Sequence, residues 1–231
     1  MSVLFLTGAG ISANAGIATY RDEGSSWVNG DLEAKSHANR YGNHLDELWD
    51  RHWGPLQVAM EAAEPTYTHK AIAEFQKTHE AIIATQNIDN LHERAGSDNV
   101  AHVHGVMNSK CMKCKGNNIH EFRDAGAPKC LDCGSRKTRP DVVLFGEMLN
   151  KKLMAGLESF AQHPDTTHVV AVGTSLNVWP AAALVFDNVG KSIIINKQKT
   201  DFDRWALEVH RADCDEVIDD VLDRISTHVV E

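Results

Sequence analysis

The chain has 231 residues, of which 42% are hydrophobic and 24% charged, with 6 Pro and 16 Gly. This composition predicts one large domain, or a domain with a smaller insert, and excludes collagen-like and disordered chains. The formal net charge of −9 opposes a broad phosphate-binding surface, so nucleic acid is not expected as the principal partner.

The apolar runs of the chain are short. Runs such as residues 169–172 and 193–195 are a fraction of the roughly 20 apolar residues that span a bilayer. Residues 3–6 are too few for the apolar segment of a signal peptide. We therefore expect a soluble, cytoplasmic protein with no membrane partner.

Residues 3–6 predict a buried strand that runs into a glycine-rich turn and a helix. A dinucleotide-binding turn needs Gly8 for the bend, Gly10 for close approach of the backbone to pyrophosphate, and a small Ala13 for packing of helix on strand. The phosphate would lie at the helix N-terminus. A glycine turn without a ligand has the same pattern, so both interpretations stay open here. Residues 16–27 are typical of a loop, and the missing second strand disfavours hydride chemistry.

Strands and helices alternate along the rest of the chain. The predicted helices are residues 31–60, 68–77, 88–95, 149–162, 181–189 and 215–229, and the predicted strands are residues 81–85, 100–103, 141–145, 168–172 and 191–195. This alternation predicts an α/β fold with a Rossmann-like, doubly wound parallel sheet, whose ligands bind at the carboxyl ends of the strands.

Two segments interrupt the alternation and are predicted to form a smaller domain. The first is a polar helical insertion at residues 31–65, and the second is a zinc-binding module at residues 105–140. The Rossmann-like domain then comprises residues 1–30, 66–104 and 141–231.

Polar side chains follow four of the predicted strands. They are Gln86, Asn87, Asp89 and Asn90, then His104 with His102 near the end of the strand before it, then Thr174 and Ser175, and finally Asn196. Each of them alone is typical of a helix cap or a turn. Their shared position with the glycine turn favours a ligand site at this edge of the sheet.

Four of the five cysteines form the pairs Cys111-x-x-Cys114 and Cys130-x-x-Cys133. This spacing suits four thiolates around one tetrahedral Zn²⁺, whereas two disulfides are the alternative in an oxidising compartment. No coordination position is left open, so the zinc is expected to be structural. Residues 105–139 carry eight basic and three acidic residues, which offset the thiolate charge. A nucleic-acid-binding ribbon is disfavoured because this segment holds a single aromatic residue.

Nine features of the chain form an ordered pattern. They are residues 8–12 (GAGIS), 16–17 with 20–21 (GI and YR), 86–89 (QNID), 104–105 (HG), the four paired cysteines, 139–147 (RPDVVLFGE), 173–176 (GTSL), 195–196 (IN) and 213–215 (DCD). Together and in this order, they resemble the sirtuins, the NAD-dependent protein lysine deacylases, over essentially the whole chain.

The resemblance implies NAD as a co-substrate and a set of residues that hold it. The pyrophosphate would be held by Gly8, Ala9, Gly10 and Ser12, and the adenosine half by Gly173, Ser175, Asn196 and Cys214. The nicotinamide ribose would contact Gln86 and Asn87, and the carboxamide would contact Asp89 and the Ile88 backbone. Tyr20 and Arg21 would lie on a loop that closes over the nicotinamide, and Gly16, Ile17 and Thr174 complete the implied cofactor-binding set.

The resemblance also implies the chemistry. The acyl oxygen of a substrate lysine attacks C1′ as nicotinamide leaves, and a general base then removes a ribose hydroxyl proton. His104 suits this base because imidazole needs little tuning at pH 7, and Asn87 is the other implied catalytic residue. His102 is a second imidazole nearby, but His104 is preferred because Gly105 follows it. The products are nicotinamide, deacylated lysine and O-acyl-ADP-ribose.

The implied partner is a protein or peptide that contains acyl-lysine. Its extended backbone would pair with an edge strand, with Val178 on the other side. The implied substrate-binding residues of that strand are Val142, Val143, Leu144, Phe145, Gly146 and Glu147.

The acyl group is expected to be acetyl or another neutral acyl. Ala13 and Thr19 resemble the branch of the family that removes succinyl-type groups, yet the Tyr-x-x-Arg pair with which that branch grips the carboxylate is absent from this sequence. A buried carboxylate without a cationic partner is strongly destabilised. Because the arginine is missing, we expect the protein to prefer a neutral acyl group.

Two other functions stay open. One is a mono-ADP-ribosyltransferase or NAD hydrolase that uses the same site with another acceptor or water. The other is an NAD-sensing or zinc-ribbon binding module without turnover, which the combination of His104 with Asn87 and Asp89 disfavours because binding alone does not need a base.

Overall fold

The computed structural model describes residues 1–17, 31–120 and 125–227. Tyr20 and Arg21, two of the predicted cofactor-binding residues, lie outside the described residues. Within these ranges the strands are β1 Ser2–Thr7, β2 Glu80–Thr85, β3 Val100–His102, β4 Gly105–Cys111, β5 Thr138–Val142, β6 Thr166–Val172, β7 Ser192–Ile195 and β8 Glu208–His210. The α-helices are α1 Gly10–Ala13, α2 Asp31–Lys35, α3 Leu45–Leu48, α4 Gly54–Ala62, α5 Tyr67–Gln76, α6 Leu91–Arg94, α7 Lys151–Gln162, α8 Ala183–Phe186 and α9 Cys214–Thr227, with 3-10 turns at Tyr41–Asn43 and Val189–Lys191 and a π-helical turn at Trp49–Trp53.

The chain divides into two compact units. The sheet unit comprises Met1–Ala15, Glu64–Val103 and Leu149–Glu231, and the cysteine unit comprises Gly16–Ala63 and His104–Met148. The predicted Rossmann-like domain of residues 1–30, 66–104 and 141–231 differs from the sheet unit at residues 16–30, 64–65, 104 and 141–148.

The sheet unit holds a parallel sheet of six strands in the order β3-β2-β1-β6-β7-β8. Every residue of β1 is buried, as a central parallel strand covered on both faces requires. Val3 and Phe5 pack into one apolar cluster, which includes Ile218 of α9. Leu4 and Leu6 pack into the opposite cluster, against α7. Because successive side chains of a strand point to opposite faces, this split places helices on both faces and confirms the predicted Rossmann-like fold class.

Two buried histidines, His69 of α5 and His92 of α6, contact each other with their ring centroids 4.7 Å apart. The Thr66 main-chain N–H donates to His69 Nδ1 at 3.2 Å, so that nitrogen is an acceptor and the ring is neutral. Burial lowers the pKa of His69 to about 4 and the pKa of His92 well below its usual range. Both rings therefore stay uncharged in the folded protein at neutral pH.

We expect acid to destabilise the sheet unit through these two rings. Their folded-state pKa values lie below the unfolded value of about 6.5, so the unfolded chain binds more protons and stability falls as pH drops below 6.5. For His69 alone the free energy of unfolding should fall by about 2 kcal/mol between pH 7 and pH 5. Urea unfolding at pH 7, 6 and 5 measures this slope. His69→Gln should flatten the slope, while His163→Gln, a change at an exposed histidine, should leave it unchanged; equal slopes in the two variants would contradict the assignment.

The prediction of a single helix over residues 31–60, in the cysteine unit, is wrong. The segment is broken into α2, a 3-10 turn, α3, a π-helical turn and α4. After α2 the chain extends so that the Ala38 N–H donates to the Phe145 carbonyl at 2.9 Å. Trp49 is fully buried, and its indole N–H donates to the Thr138 carbonyl at 3.1 Å. These tertiary contacts outweigh the helical periodicity of the segment.

The prediction of a strand at residues 141–145 of the parallel sheet is also wrong. The strand is β5, which ends at Val142 and pairs antiparallel with β4 in a separate two-stranded sheet. Beyond it the chain turns, because Glu147 N–H donates to the Leu144 carbonyl and the Glu147 carboxylate accepts from the Leu144 N–H, both at 2.9 Å. Gly146 supplies the positive φ of 82° that the turn needs.

Candidate functional site

Two glycine turns interlock at the carboxyl ends of the neighbouring strands β1 and β6. The Gly10 N–H donates to the Gly173 carbonyl at 2.8 Å. A Cβ on Gly10 would lie 2.7 Å from the Gly173 Cα, and a Cβ on Gly8 would lie 2.7 Å from the Thr174 Cβ. Gly173 has a φ of 61°, and a Cβ there would lie 2.5 Å from the Ile11 nitrogen. All three positions therefore require glycine.

This packing gives the glycines a role that the sequence did not reveal. Gly10 was expected to let a pyrophosphate approach, but its missing side chain already makes room for the Gly173 backbone. The Gly8 N–H donates to the Val172 carbonyl at 3.0 Å, so the amides of both Gly8 and Gly10 are engaged within the protein. The helix that follows is one turn long. The interlocked turns thus form a rigid edge on which a ligand can rest.

A buried polar network joins this edge to the loop after β2. The Asn87 amide nitrogen donates to the Gly8 carbonyl and to Ser12 Oγ, both at 3.1 Å, which uses both amide protons and fixes the orientation of the side chain. Ser12 Oγ in turn donates to Asp89 Oδ2 at 3.0 Å. Burial raises the pKa of the Asp89 carboxyl, although hydrogen bonds from the Leu91 main chain and from Ser12 oppose the shift.

The other predicted cofactor-binding residues of the sheet unit lie around the same edge. Gln86 donates from Nε2 to Thr174 Oγ1 at 2.9 Å and so joins the ends of β2 and β6. The Asn196 N–H donates to the His210 carbonyl at 3.0 Å at the end of β7. Cys214 is the first residue of α9, and its sulfur lies 3.9 Å from the Gly10 carbonyl oxygen. Burial raises the pKa of the Cys214 thiol to about 11, so the thiol is neutral at pH 7.

Ala9, Ile88 and Ser175 lie within these same turns and loops and are only partly buried. Gly16 and Ile17 belong to the cysteine unit.

His102 bridges two acceptors at the end of β3. Its Nε2 lies 2.7 Å from Glu93 Oε1, and its Nδ1 lies 3.1 Å from the Asn87 main-chain oxygen. A carboxylate and a carbonyl can only accept, so both ring nitrogens must carry protons and the ring is an imidazolium. Burial alone would lower the pKa of His102, but the Glu93 carboxylate outweighs it and raises the pKa. An imidazolium with both protons engaged cannot serve as a general base.

His104 is the first residue of the cysteine unit and is partly buried. Its carbonyl accepts from the Val143 N–H at 2.8 Å, which fixes its main chain. Gly105 has a φ of 81°, and a Cβ there would lie 2.2 Å from the Asp141 oxygen. The glycine after His104 is therefore demanded by the close pairing of β4 with β5.

The predicted substrate-binding segment forms a turn beyond β5 rather than an edge strand. Val142 is the last residue of β5, and the Phe145 carbonyl already accepts from Ala38. Arg139 donates to both Glu147 carboxylate oxygens, at 2.6 and 2.8 Å, and this ion pair lowers the pKa of Glu147. Val178, the remaining predicted member, belongs to the sheet unit and is 45% exposed.

An open cavity of about 500 Å³ adjoins this turn within the cysteine unit. It is lined by Glu33, Ala34, His37, Phe145 and Gly146. Phe145 is 36% exposed on its wall, whereas Leu144 is buried away from it. Of the predicted substrate-binding residues, Phe145 and Gly146 thus border open space.

The four paired cysteines converge in the cysteine unit, with all four sulfurs within 4.8 Å of one another. The Cys111 and Cys133 sulfurs are 3.7 Å apart, and those of Cys114 and Cys130 are 3.6 Å apart. These distances exclude disulfide bonds of about 2.05 Å. They match the spacing of about 3.8 Å that Zn–S bonds of about 2.3 Å impose on a tetrahedron. The main-chain N–H groups of Cys114 and Lys113 are directed at the Cys111 sulfur and lower the pKa of that thiol, which favours its thiolate form.

We expect one zinc ion per chain at this cluster, and we expect its removal to unfold the cysteine unit. Little else holds such a module together, so metal binding and folding are coupled. Elemental analysis and circular dichroism before and after chelation measure both effects. Cys130→Ser should abolish zinc binding, while Cys214→Ser, a change at the fifth cysteine, should retain one zinc. Protein purified under reducing conditions with no zinc would contradict the assignment.

Comparison with known proteins finds one family model and several similar proteins that agree with each other. The model of the Sir2 family matches residues 8–180. An NAD-dependent protein deacylase from Thermococcus sibiricus is 35% identical over 212 residues, which cover 86% of this chain and 81% of that protein. An NAD-dependent protein deacetylase 1 from Pyrobaculum aerophilum is 35% identical over 229 residues, which cover 95% of this chain and 88% of that protein.

Solved structures agree with these relatives. A mutant Sir2 homologue in complex with 2′-O-acetyl ADP ribose superposes with a TM-score of 0.85 at 30% identity, covering 100% of this chain and 94% of that one. A complex of Sir2 with a p53 peptide and NAD⁺ superposes with a TM-score of 0.80 at 28% identity, covering 97% of this chain and 93% of that one. Within the described ranges, none of the helices combines the length and apolar composition that crossing a membrane requires.

Proposed function

The chain belongs to the Sir2 family, and from this premise we propose that it is an NAD-dependent protein lysine deacylase that acts on acetyl or other neutral acyl groups. Its partner is an acyl-lysine in a protein or peptide, and its products are nicotinamide, deacylated lysine and O-acyl-ADP-ribose. The observation that carries the proposal is the network of Asn87, Ser12 and Asp89, which ties three polar groups to the interlocked glycine turns. Neither a plain glycine turn nor a structural zinc ribbon needs such a buried network.

NAD fits this edge of the sheet unit by the chemistry of its donors and acceptors. Gly8, Gly10 and Gly173 let the two turns pack closely together, and the edge that these turns form is where a pyrophosphate is proposed to rest. Asn87 and Asp89 supply an oriented amide and a buried carboxyl for the ribose and the carboxamide. When bound, NAD supplies an electrophilic C1′ and a leaving group.

The further cofactor-binding roles are assigned on the same basis. Ala9 and Ser12 belong to the pyrophosphate set, Ser175, Thr174, Asn196 and Cys214 to the adenosine set, and Gln86 and the Ile88 main chain to the nicotinamide side. Gly16, Ile17, Tyr20 and Arg21 would belong to the cofactor loop.

His104 is proposed as the general base. It removes a proton from a ribose hydroxyl, and the freed oxygen then attacks the acyl carbon. The neighbouring imidazole, His102, is held in its doubly protonated form by Glu93 and Asn87, which leaves His104 as the ring suited to accept a proton.

The acyl-lysine is proposed to bind beside the turn at residues 143–147. Val142 and Val143 lead into this turn, and Phe145 and Gly146 border the open cavity of the cysteine unit. Leu144 and Glu147 shape the turn through their reciprocal hydrogen bonds. Val178 is proposed as the contact from the sheet unit.

The competing enzymatic function is tested by the dependence of NAD consumption on the acyl-peptide. A deacylase should release nicotinamide only when an acylated peptide is present, in equal amounts with deacylated peptide and O-acyl-ADP-ribose. We would measure all three products by mass spectrometry with an acetyl-peptide, the same peptide unacetylated, and no peptide. Equal NAD loss in all three reactions would instead identify an NAD hydrolase, and equal NAD loss with either peptide but none without peptide would identify an ADP-ribosyltransferase.

We further propose that the protein works in the cytoplasm. The cluster of Cys111, Cys114, Cys130 and Cys133 supports this placement, because its sulfurs are spaced for a metal and not for disulfides. Thiols of this kind persist where the surroundings are reducing.

A further inference from the structure

The imidazolium of His102 connects two parts of the sheet unit that the deacylation site needs. We infer that His102 is a positioning residue for the reaction, because it joins the Glu93 carboxylate to the main-chain carbonyl of Asn87 and thereby fixes the amide that links Gly8 to Ser12. This inference rests on the proposed function, since it concerns the geometry of that same site. His102 acts through Asn87 and does not itself contact the reacting atoms.

The first support is the way in which the Asn87 main chain is held. On its amino side, the Asn87 N–H donates to Thr85 Oγ1 at 3.1 Å. On its carbonyl side, the contact is with His102. If His102 is removed, the Asn87 carbonyl loses this partner, and we expect the peptide group after Asn87 to rotate. Such a rotation displaces the Asn87 side chain and, two residues later, Asp89.

The second support is the charge around the ring. Glu93 lies at 2.7 Å, and the field of Asp89 also favours the charged form of His102. Hydrogen bonding to His102 lowers the pKa of Glu93 although burial opposes the shift, so this carboxylate is charged at neutral pH. His92, the other titratable ring nearby, is buried and neutral. Glu93 is therefore the charged partner of His102. Among the described groups that influence the pKa of His102, none is a cation.

The third support is that His102 must donate both of its hydrogen bonds, one to the Glu93 carboxylate and one to the Asn87 carbonyl. A neutral histidine has one N–H and satisfies only one of the two acceptors. The Glu93 carboxylate supplies the charge that keeps the second proton on the ring, and the second proton holds the Asn87 carbonyl. Glu93 is thus needed for the His102 to Asn87 bond even though Glu93 does not contact Asn87.

Activity measurements separate positioning from plain structural support. His102→Ala should lower kcat for an acetyl-peptide by about tenfold or more, while the KM for the peptide stays within about twofold, because the peptide is not held by this network. His163→Ala is the matched control, since His163 is an exposed histidine of the same unit with a carboxylate neighbour, Asp165. The activity of each variant is scaled to its folded fraction. A folded His102→Ala protein with kcat within about twofold of the unchanged chain would overturn the inference.

A second measurement does not depend on activity and remains usable if His102→Ala fails to fold. In ¹⁵N-histidine NMR of the unchanged protein, both ring nitrogens of His102 should carry protons, with a titration midpoint above about 6.5, the unperturbed value. In Glu93→Gln the midpoint should fall. A midpoint at or below the unperturbed value in the unchanged protein would overturn the inference. Failure of the proposed function would show differently, as a chain that consumes no NAD with any acyl-peptide while the His102 titration is as expected.

Discussion

Replacing His104 by alanine is expected to lower the rate of deacylation by at least roughly 10²-fold, the usual contribution of a positioned general base. NAD should still bind, because the residues proposed to hold it belong to the network around Gly8, Asn87 and Asp89. The fold should persist as well, since His104 contributes its carbonyl to the pairing with Val143, and alanine retains that carbonyl. Binding and chemistry should therefore separate in this variant.

Two measurements check this result. Isothermal titration gives the affinity for NAD, and single-turnover kinetics with an acetyl-peptide gives the chemical rate. His102→Ala is the matched comparison, with a smaller expected loss of about tenfold. A loss of 10²-fold in His102→Ala with near-normal chemistry in His104→Ala would mean that the wrong imidazole has been assigned.

The sequence reveals the parallel sheet because buried parallel strands are continuous apolar runs. β1 is buried at every residue, and residues 169–172 of β6 are equally apolar. β8 has no such signal, since Glu208–His210 contains one apolar residue among three, and only its pairing with β7 makes it a strand. Strand β5 was misplaced for a related reason. Its composition is that of a strand, but the partner strand is chosen by tertiary contacts.

The prediction of one helix over residues 31–60 is wrong for a different physical reason. The periodicity of residues 31–60 is that of a helix, but a helix leaves no free main-chain group for a distant strand. In the structure, Ala38 N–H bonds to the Phe145 carbonyl, and Trp49 requires burial against the main chain of Thr138. A local pattern does not encode these partners, which lie far along the chain. The zinc cluster is the opposite case, because ligand type and short spacing alone identify it.

The sequence predicts part of the candidate site and misses the rest, again because local patterns do not encode distant contacts. The sequence singles out Gly10 and both imidazoles, His102 and His104, from their positions after strands. It does not reveal that Gly10 packs on Gly173, because that contact depends on the order of strands in the sheet. The glycine after His104 favours that imidazole, but the sequence does not show what holds the ring of His102. The roles of the two imidazoles are set by the acceptors around His102, namely the Glu93 carboxylate and the Asn87 carbonyl.

Acetyl-lysine and neutral longer acyl-lysines should be processed better than succinyl-lysine. A succinyl carboxylate that enters an apolar pocket loses its water, and without a bidentate arginine it gains little in return. A penalty of about 3 kcal/mol would depress the rate on the succinyl substrate roughly 150-fold, at 1.36 kcal/mol per tenfold. We expect the walls of this pocket to be formed by uncharged residues of the cysteine unit, namely Trp53, Leu56, Leu144 and Phe145.

A cation in the cysteine unit would rescue the succinyl substrate, and the structure shows how the main candidates are engaged. Arg51 donates to Glu47 at 2.8 Å, and Lys35 contacts the same carboxylate at 2.6 Å. Arg139 is paired with Glu147 through both carboxylate oxygens. Each of these cations would have to leave its own carboxylate in order to bind a succinyl group. Two further cations have exposed side chains: Arg40 in the cysteine unit and Lys70 in the sheet unit.

The cavity beside Phe145 argues in the same direction, because its charged wall residue is Glu33, a carboxylate that repels a succinyl group. The measurement is kcat/KM for matched acetyl, butyryl and succinyl peptides at one pH and salt concentration. Glu33→Gln should raise the succinyl rate without changing the acetyl rate, since removing the repulsion affects only the charged acyl group. A succinyl rate equal to or above the acetyl rate would show that a cation does enter the pocket. Arg40→Gln, Arg51→Gln and Lys70→Gln would then identify it, because the variant that loses the succinyl activity alone marks the residue that replaces the missing arginine.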